Sequence, residues 1–223
     1  NFHAARARES VEGSLKRLGR DTLDVVFFHS PFGPTDIHDD VWKELDRLKA
    51  EGKIRFVGHS ISKFADTEPM ARGWAEERRI DVVQVVYSLM NREAAELIHD
   101  LAAQGVGIVA REVLANGFLS GAINADTVFP LASLNARYDR AEVADRAAYA
   151  DALARVLVRD DVPNLPAAAF RWVLDAPAVT LALSGAKSPT ELADAVAAAH
   201  AAPYASDEHD AANRLHRRDF DAA

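Results

Sequence analysis

The feature that most constrains the fold of this sequence is a repeated alternation between an amphipathic helical pattern and a short apolar run. At the start of the chain, Val11, Leu15 and Leu18 recur at helical spacing, and Gly19 follows them as a helix stop. The alternation predicts five strands, at residues 23–28, 54–57, 82–86, 106–110 and 179–183. It also predicts helices, among them residues 140–158, 166–174 and 189–200. Apolar strands that alternate with helices indicate a parallel sheet covered by helices.

Two architectures join parallel strands through helices, namely an open doubly wound sheet and a closed barrel. In this sequence polar residues follow the ends of several strands, among them His29, Ser60, Arg111 and Lys187. That distribution favours a barrel, because a barrel builds its active site at the carboxyl ends of all its strands. A doubly wound sheet concentrates such groups behind one glycine-rich turn, and the chain has no G-x-G-x-x-G motif.

The sequence therefore predicts the α/β class and a (β/α)8 TIM barrel, with only about five βα units present in the 223 residues. A complete barrel of this type takes roughly 250 residues. We expect residues 1–223 to form a single partial barrel domain, and we expect the three N-terminal strands of the barrel to precede Asn1.

Charge and composition exclude several other classes of protein. The formal net charge of −8 is the wrong sign for a nucleic-acid binder, which needs a basic face. No run of 18 apolar residues predicts a membrane span, and the absence of cysteine excludes disulfides and thiolate ligands. We expect a cytoplasmic protein with a small-molecule partner and with no nucleic-acid or membrane partner. The sequence leaves the oligomeric state open.

Six segments, in order along the chain, resemble the aldo-keto reductase family. The first three are S-V-E-G-S-L-K-R-L-G at 10–19, D-V-V-F-F-H at 24–29 and G-K-I-R-F-V-G-H-S at 52–60. The last three are V-Q-V-V-Y-S-L-M-N-R at 83–92, G-I-V-A-R at 107–111 with N-G-F-L-S-G at 116–121, and S-G-A-K-S-P at 184–189. The resemblance implies the part of the family's barrel that runs from its third helix to its eighth strand.

The resemblance also implies roles for four side chains. His29 corresponds to the family's active-site histidine, whose neutral imidazole donates a hydrogen bond to a carbonyl oxygen as negative charge develops there. Ser60 and Gln84 correspond to the residues that hold the nicotinamide carboxamide, since a hydroxyl and an amide match its donor and acceptor groups. Arg111 stands where many members stack a tyrosine on the nicotinamide, and its planar guanidinium can stack in the same way.

The resemblance implies that Gly185, Lys187 and Ser188 bind the adenosine side of the cofactor. A helix N-terminus with a lysine and a hydroxyl favours a phosphate group. However, Glu191 stands where the family often has arginine or glutamine, and Ala195 stands where it often has asparagine. An acid at this place repels a 2′-phosphate. The expected cofactor is NADP, with NAD as the alternative.

The expected function is an NAD(P)H-dependent reduction of an aldehyde or ketone, such as a keto-sugar or a secondary-metabolite intermediate, to an alcohol. The family's catalytic tyrosine, lysine and aspartate lie on strands that precede this segment, so we expect residues 1–223 alone to be inactive. Residues 129–140, after the seventh family strand, are expected to line the substrate pocket. Two alternatives stay open, namely a non-catalytic cofactor-binding relative and a metal-dependent barrel hydrolase that uses His29, His59 and Glu112.

Overall fold

The structure is a computed structural model that describes residues 2–29, 31 and 33–221. Within these residues the strands are β1 (Leu23–His29), β2 (Ile54–Ser60), β3 (Val82–Val86), β4 (Gly107–Arg111) and β5 (Leu181–Ala182). The α-helices are α1 (Ala4–Leu18), α2 (Asp39–Ala50), α3 (Phe64–Glu76), α4 (Ala95–Ala103), α5 (Arg140–Leu157), α6 (Leu165–Leu174), α7 (Pro189–His200) and α8 (Ser206–Leu215). Short 3-10 helices occur at Pro34–Asp36, Ala115–Ser120, Leu134–Arg137 and Arg218–Phe220.

The five strands form one sheet whose spatial order, β1-β2-β3-β4-β5, is the same as their order in the sequence. The pairs β1–β2 and β2–β3 are parallel. A doubly wound sheet reverses its strand order at a switch point, whereas consecutive barrel strands follow one another around the sheet. The observed order therefore confirms the barrel-type succession that the sequence predicts.

The chain divides into two compact units. Unit 1 comprises Asn1–Val85 and Ala94–Val109, and unit 2 comprises Val86–Glu93 and Ala110–Ala223. Each unit has its own buried side chains.

In unit 1, helices pack against one face of the strands. Val41 and Leu48 of α2 are fully buried, as are Val83 of β3 and Leu101 of α4. Full burial of such a side chain stabilises a fold by about 1.5–3 kcal/mol. Along β3, buried and half-buried residues alternate, so one face of the strand is sealed by helices and the other remains partly open.

Unit 2 is held by helix packing, with α5 against α6 and α8, and α6 against α7. Helix α5 begins at a capping box in which the Asp139 carboxylate accepts a hydrogen bond from the Glu142 N–H and the Glu142 carboxylate accepts one from the Asp139 N–H. The sequence analysis gave no bounds for helix α8, whose Ala212 is fully buried.

Candidate functional site

Three of the predicted site residues lie side by side in unit 1. His29 at the end of β1 pairs with Ser60 at the end of β2, and Ser60 pairs with Gln84 of β3. Residues paired in this way direct their side chains to the same face of a sheet, and adjacent strands lie about 4.8 Å apart. The structure thus brings His29, Ser60 and Gln84 into one row, which we call the polar row.

The polar row lies on the open face of the strands. Phe28, one residue before His29, points to the opposite face and contacts Trp42 and Trp74, with ring centroids 5.0 and 5.9 Å away. Because side chains alternate along a strand, His29 faces away from these helices, and it is exposed.

The polar row has free hydrogen-bonding capacity. In the described part of the chain, no residue forms a hydrogen bond with the side chains of His29, Ser60 or Gln84. Ser60 as a whole residue is 3% exposed, so it is held firmly within the sheet. A row made of an imidazole, a hydroxyl and an amide offers both donors and acceptors to a flat polar group.

His59 has a different environment from its neighbour Ser60. It is fully buried, and its ring packs edge-on against Trp74 at 4.9 Å on the helix side of β2. Among the residues that the structure describes, neither ring nitrogen has a hydrogen-bond partner, and burial lowers the pKa of His59 to about 4. The imidazole of His59 is therefore neutral near pH 7 and faces away from the polar row.

The metal-dependent alternative gains no support from the structure. Among the described residues, no group of three or more His, Cys, Asp or Glu side chains is placed to hold a metal ion. His59, one of the ligands that this alternative needs, is enclosed by Trp74 and lies on the other face from His29.

In unit 2, three other predicted residues line a single cavity of about 500 Å³. These are Arg111, at the end of β4, and Gly185 and Lys187, which follow β5. Ser184 and Asn116 also line this cavity, and Phe170 of α6 forms part of its wall. A concave space with an apolar wall and a few polar groups is typical of small-molecule sites.

Arg111 forms an ion pair with Glu112, the next residue in the chain. Glu112 also accepts a hydrogen bond from Asn116 at 3.0 Å. Both Glu112 and Asn116 have a positive φ, of 56° and 54°. Few residues other than glycine adopt this conformation, and its occurrence next to a cavity is typical of a functional loop.

The N-terminus of α7 is closed by residues of the helix itself. Ser188 accepts a hydrogen bond from the Glu191 N–H at 3.2 Å, and the Glu191 carboxylate accepts one from the Lys187 N–H at 2.7 Å. Ser188 therefore acts as the helix cap. The carboxylate of Glu191 occupies part of the position where a helix N-terminus attracts an anion.

Two features of unit 2 were missed by the sequence analysis. The first is the turn from Glu112 to Asn116, for which the sequence Asn116-Gly117 was the available signal, because both residue types tolerate positive φ. The second is Arg146, a 7% exposed arginine on α5 that lies against aromatic rings. The available signal was its position, because Arg146 lies at helical spacing from Val143 and Ala150 on the buried face of α5.

The segment 129–140, which was predicted to line the substrate pocket, contributes Tyr138 to the lining of a cavity. Tyr138 borders a small cavity in unit 2, and Phe129 lies edge-on to Phe118 at 6.0 Å. The assignment of this segment to the substrate pocket stays a prediction. Among the described residues, no helix has both the length and the apolar character needed to cross a membrane.

Comparison with known proteins gives one family. The family described as "Aldo/keto reductase family" matches residues 1–217. The NADH-specific methylglyoxal reductase of Escherichia coli is 29% identical over 204 residues, which are 89% of this chain and 60% of that protein. The D-threo-aldose 1-dehydrogenase of a Pseudomonas species is 28% identical over 86% of this chain and 56% of its own length.

Solved structures of related proteins have the same fold as this chain. The glycerol dehydrogenase of Gluconobacter oxydans superposes with a TM-score of 0.80 and 26% identity, over 96% of this chain and 64% of that one. The chain thus spans about three fifths of the length of the curated relatives, 60% of the first and 56% of the second. The fold is the (β/α)8 barrel of these relatives, of which five parallel strands are described.

Proposed function

Since the chain belongs to the aldo/keto reductase family, we propose that it carries the nicotinamide-binding side of an oxidoreductase that interconverts a small aldehyde or ketone with its alcohol. The observation that carries this proposal is the polar row, in which His29, Ser60 and Gln84 present unpartnered groups on one face. The expectation of three strands before Asn1, with the family's tyrosine, lysine and aspartate, stays a prediction, and each experiment below uses the full-length protein.

The polar row fits a nicotinamide. Its carboxamide offers an N–H donor and a C=O acceptor, and the hydroxyl of Ser60 and the amide of Gln84 can satisfy both. When bound, a nicotinamide supplies a hydride to a carbonyl carbon. His29 donates a hydrogen bond to the carbonyl oxygen and so stabilises the negative charge that grows there.

Unit 2 by itself contains a cavity that supports binding of the adenosine side of a dinucleotide. Lys187 lines a space of about 500 Å³, and its cation favours the phosphate groups of a dinucleotide. Arg111 lines the same space, and its predicted role stays that of stacking on the nicotinamide. Gly185 leaves room for close approach, since no heavy atom lies within 4 Å of the position that its Cβ would take. Ser188 acts indirectly, because it caps the N-terminus of α7 and so fixes the position of the helix start next to Lys187.

The choice between NADH and NADPH follows from Glu191. Its carboxylate lies at the first turn of α7 and already accepts the Lys187 N–H. A second negative group at this place, such as a 2′-phosphate, meets like-charge repulsion. The protein therefore accepts NADH at least as well as NADPH, and the NADH-specific methylglyoxal reductase of E. coli is a relative with that preference.

Substrate class follows from the family alone. The relatives are named for methylglyoxal, an aldose and glycerol, which are all small polar carbonyl compounds or alcohols. We expect the substrate of this protein to be of the same size and polarity. Keto-sugars and larger secondary-metabolite carbonyls belong in the same substrate screen.

The central test is the replacement of His29. In the full-length protein, His29→Ala should lower kcat/KM for a reducible aldehyde by about 100-fold or more, as the loss of one oxyanion donor does. His99→Ala is the matched control, because that histidine is 83% exposed on α4. An unchanged kcat/KM in His29→Ala removes this residue from the reaction.

Cofactor binding is tested separately, by fluorescence titration with NADH and NADPH. Gln84→Leu should weaken both by about tenfold, since it removes hydrogen bonds to the carboxamide. Gln104→Leu serves as control, since Gln104 is exposed and its side chain donates to the Asp100 carbonyl of its own helix. Tight cofactor binding without turnover of any carbonyl would instead favour the non-catalytic relative.

A further inference from the structure

Asn135, in unit 2, is a buried side chain in a segment whose leucines are exposed. It is 6% exposed, whereas Leu134 is 79% exposed and Leu131 is 98% exposed. Apolar side chains ordinarily hold such a segment to the protein, because burial of an amide is favourable only when hydrogen bonds accompany it. Here the amide of Asn135 takes that place, so its hydrogen bonds indicate what it holds.

The side chain of Asn135 connects two segments that are distant in sequence. Its Nδ2 donates a hydrogen bond to the carbonyl oxygen of Asn116 at 2.8 Å, across 19 residues. Its Oδ1 is buried and has no hydrogen-bond partner in the described part of the chain. An unpaired buried acceptor lowers stability. The favourable contribution of this side chain is therefore the bond that it donates to Asn116.

The backbone of Asn135 is held on both sides. The Ser133 hydroxyl accepts a hydrogen bond from the Asn135 N–H at 3.2 Å, and the Asn135 carbonyl accepts one from the Tyr138 N–H at 3.1 Å. The Tyr138 ring in turn lies edge-on to the buried ring of Phe118, at 5.4 Å. Asn135 therefore donates its bond from a fixed position.

The acceptor of this bond lies in a strained turn, residues 112–116, which we call the 112–116 turn. Glu112, Ala115 and Asn116 have φ values of 56°, 47° and 54°. Residues with a Cβ seldom adopt this conformation, and it persists only where the surroundings hold it. Within the turn, the Ala115 N–H bonds to the Glu112 carbonyl at 2.7 Å. The bond from Asn135 adds a restraint from outside the turn.

The 112–116 turn forms part of the wall of the 500 Å³ cavity in unit 2. Among the residues that the structure describes, the lining of this cavity includes Glu112, Asn116 and Lys187, and it does not include Asn135. Asn135 therefore acts on the cavity through the turn, and not by contact with a bound molecule.

We propose that Asn135 is a positioning residue for this cavity, which holds the 112–116 turn in the conformation that binds a dinucleotide. The identity of the ligand rests on the proposed function, whereas the effect of Asn135 on the turn can be measured without a ligand. Without the bond from Asn135, the turn relaxes towards negative φ. Affinity then falls, because the binding conformation is only partly populated.

The test compares NADH affinity in the full-length wild type and Asn135→Leu. Leucine has a similar shape and removes the donor, but it also removes the unpartnered Oδ1, so the fold should be retained. The affinity should fall by about tenfold. Asn124→Leu is the matched control, because Asn124 is exposed and its Oδ1 accepts the Asp126 N–H within its own turn. Equal affinities in wild type and Asn135→Leu overturn the proposal, as does an equal loss in Asn124→Leu.

Ala115→Gly separates positioning of the turn from a general loss of structure. Glycine adopts positive φ without the steric cost of a Cβ, so the turn then depends less on the bond from Asn135. In the double variant Ala115→Gly/Asn135→Leu, NADH affinity should return to within about threefold of the wild-type value. If Asn135→Leu and the double variant lose affinity equally, Asn135 does not act through the strained turn.

Hydrogen exchange in the absence of cofactor keeps this proposal separate from the proposed function. The Gly117 N–H, which bonds to the Leu114 carbonyl at 2.9 Å, should exchange about tenfold faster in Asn135→Leu, while the N–H groups of α5 keep their wild-type rates. An unchanged rate at Gly117, or an equal acceleration at Gly117 and in α5, overturns the role of Asn135. A wild-type protein that binds neither NADH nor NADPH contradicts the proposed function instead, and the exchange result still decides whether Asn135 holds the turn.

Discussion

A Cβ atom added to Gly58 would lie 2.5 Å from the ring of Phe27, which crosses over this position from the neighbouring strand. The same added atom would be 3.1 Å from the carbonyl oxygen of Val82 on the other side. Gly58 is thus enclosed between β1 and β3, two residues before Ser60 in the polar row. Glycine at this position allows the three strands to keep the register that aligns His29, Ser60 and Gln84.

Gly58→Ala should therefore lower the free energy of unfolding by about 1–3 kcal/mol, the usual cost of overpacking a close contact. Because the strand must shift to admit the methyl group, cofactor affinity should fall as well. Urea unfolding followed by circular dichroism measures the first effect, and NADH titration measures the second.

Gly73→Ala provides the comparison for this variant. Gly73 lies inside α3, and its added Cβ would have no heavy atom within 4 Å. Alanine there should stabilise the protein by about 0.5–1 kcal/mol. If Gly58→Ala were as stable as Gly73→Ala, the contact with Phe27 would not constrain the register.

The buried imidazole of His59 makes stability depend on pH. Its pKa in the folded protein is about 4, against 6.5 for an ordinary histidine, because burial disfavours the charged form. The unfolded chain therefore binds a proton more readily than the folded protein between these values. Stability is lost as the pH falls from about 6.5 towards 4, by about 3 kcal/mol in all at about 1.4 kcal/mol per pH unit.

His59→Leu removes this dependence and also the two unpartnered ring nitrogens. We expect the loss of unfolding free energy between pH 7 and pH 5 to be about 2 kcal/mol smaller in His59→Leu than in the wild type. His99→Gln, which changes an exposed histidine, should behave like the wild type. A wild-type pH dependence that survives in His59→Leu would assign it to other groups.

The helices and their order were predictable where a local signal and a buried face agreed. Helix α7 runs from Pro189 to His200 as the pattern predicts, because Ser188 caps it. The bounds of helix α8 were not predicted, since its ten residues are mostly polar and show no clear apolar periodicity. Its burial of Ala212 depends on packing against α5, which is distant in sequence.

Strand ends were less predictable, because pairing decides them. The sequence suggests that β2 stops at Val57, before Gly58, yet the strand continues to Ser60 since Phe27 and Gly58 pair closely. For β5 the predicted strand, 179–183, is too long, because the strand in the structure is Leu181–Ala182. The candidate site residues were identified through motif resemblance and their roles stay predictions, whereas the positive φ of Glu112 depends on tertiary contacts.

Asp175 should be one of the most sensitive positions in unit 2. Its side chain is 3% exposed, pairs with Arg171 at 2.9 Å and accepts the Tyr204 N–H at 2.8 Å. Asp175→Asn leaves the cation of Arg171 buried without its counterion, so the free energy of unfolding should fall by about 3 kcal/mol or more. Denaturant unfolding measures the change.

Asp126→Asn is the control for Asp175→Asn, because it breaks an ion pair that is exposed and not buried. Asp126 also pairs with an arginine, Arg140, but the two side chains are 86% and 85% exposed. The loss of this exposed pair should cost less than about 1 kcal/mol. A similar loss in both variants would mean that burial does not set the value of the Arg171–Asp175 pair.

Glu191 should decide how the protein discriminates between the two nicotinamide cofactors. Glutamine at this position keeps an oxygen that can accept the Lys187 N–H, which Glu191 now accepts at 2.7 Å, but removes the negative charge. Glu191→Gln should therefore raise the affinity for NADPH by roughly tenfold relative to NADH, which corresponds to about 1.4 kcal/mol of relieved repulsion.

Glu142→Gln is the matched control, because Glu142 occupies the third position of α5, as Glu191 does in α7. Competition between NADH and NADPH, followed by fluorescence in both variants, measures the ratio of the two dissociation constants. An unchanged ratio in Glu191→Gln, or an equal change in Glu142→Gln, would mean that the first turn of α7 does not recognise the 2′-phosphate.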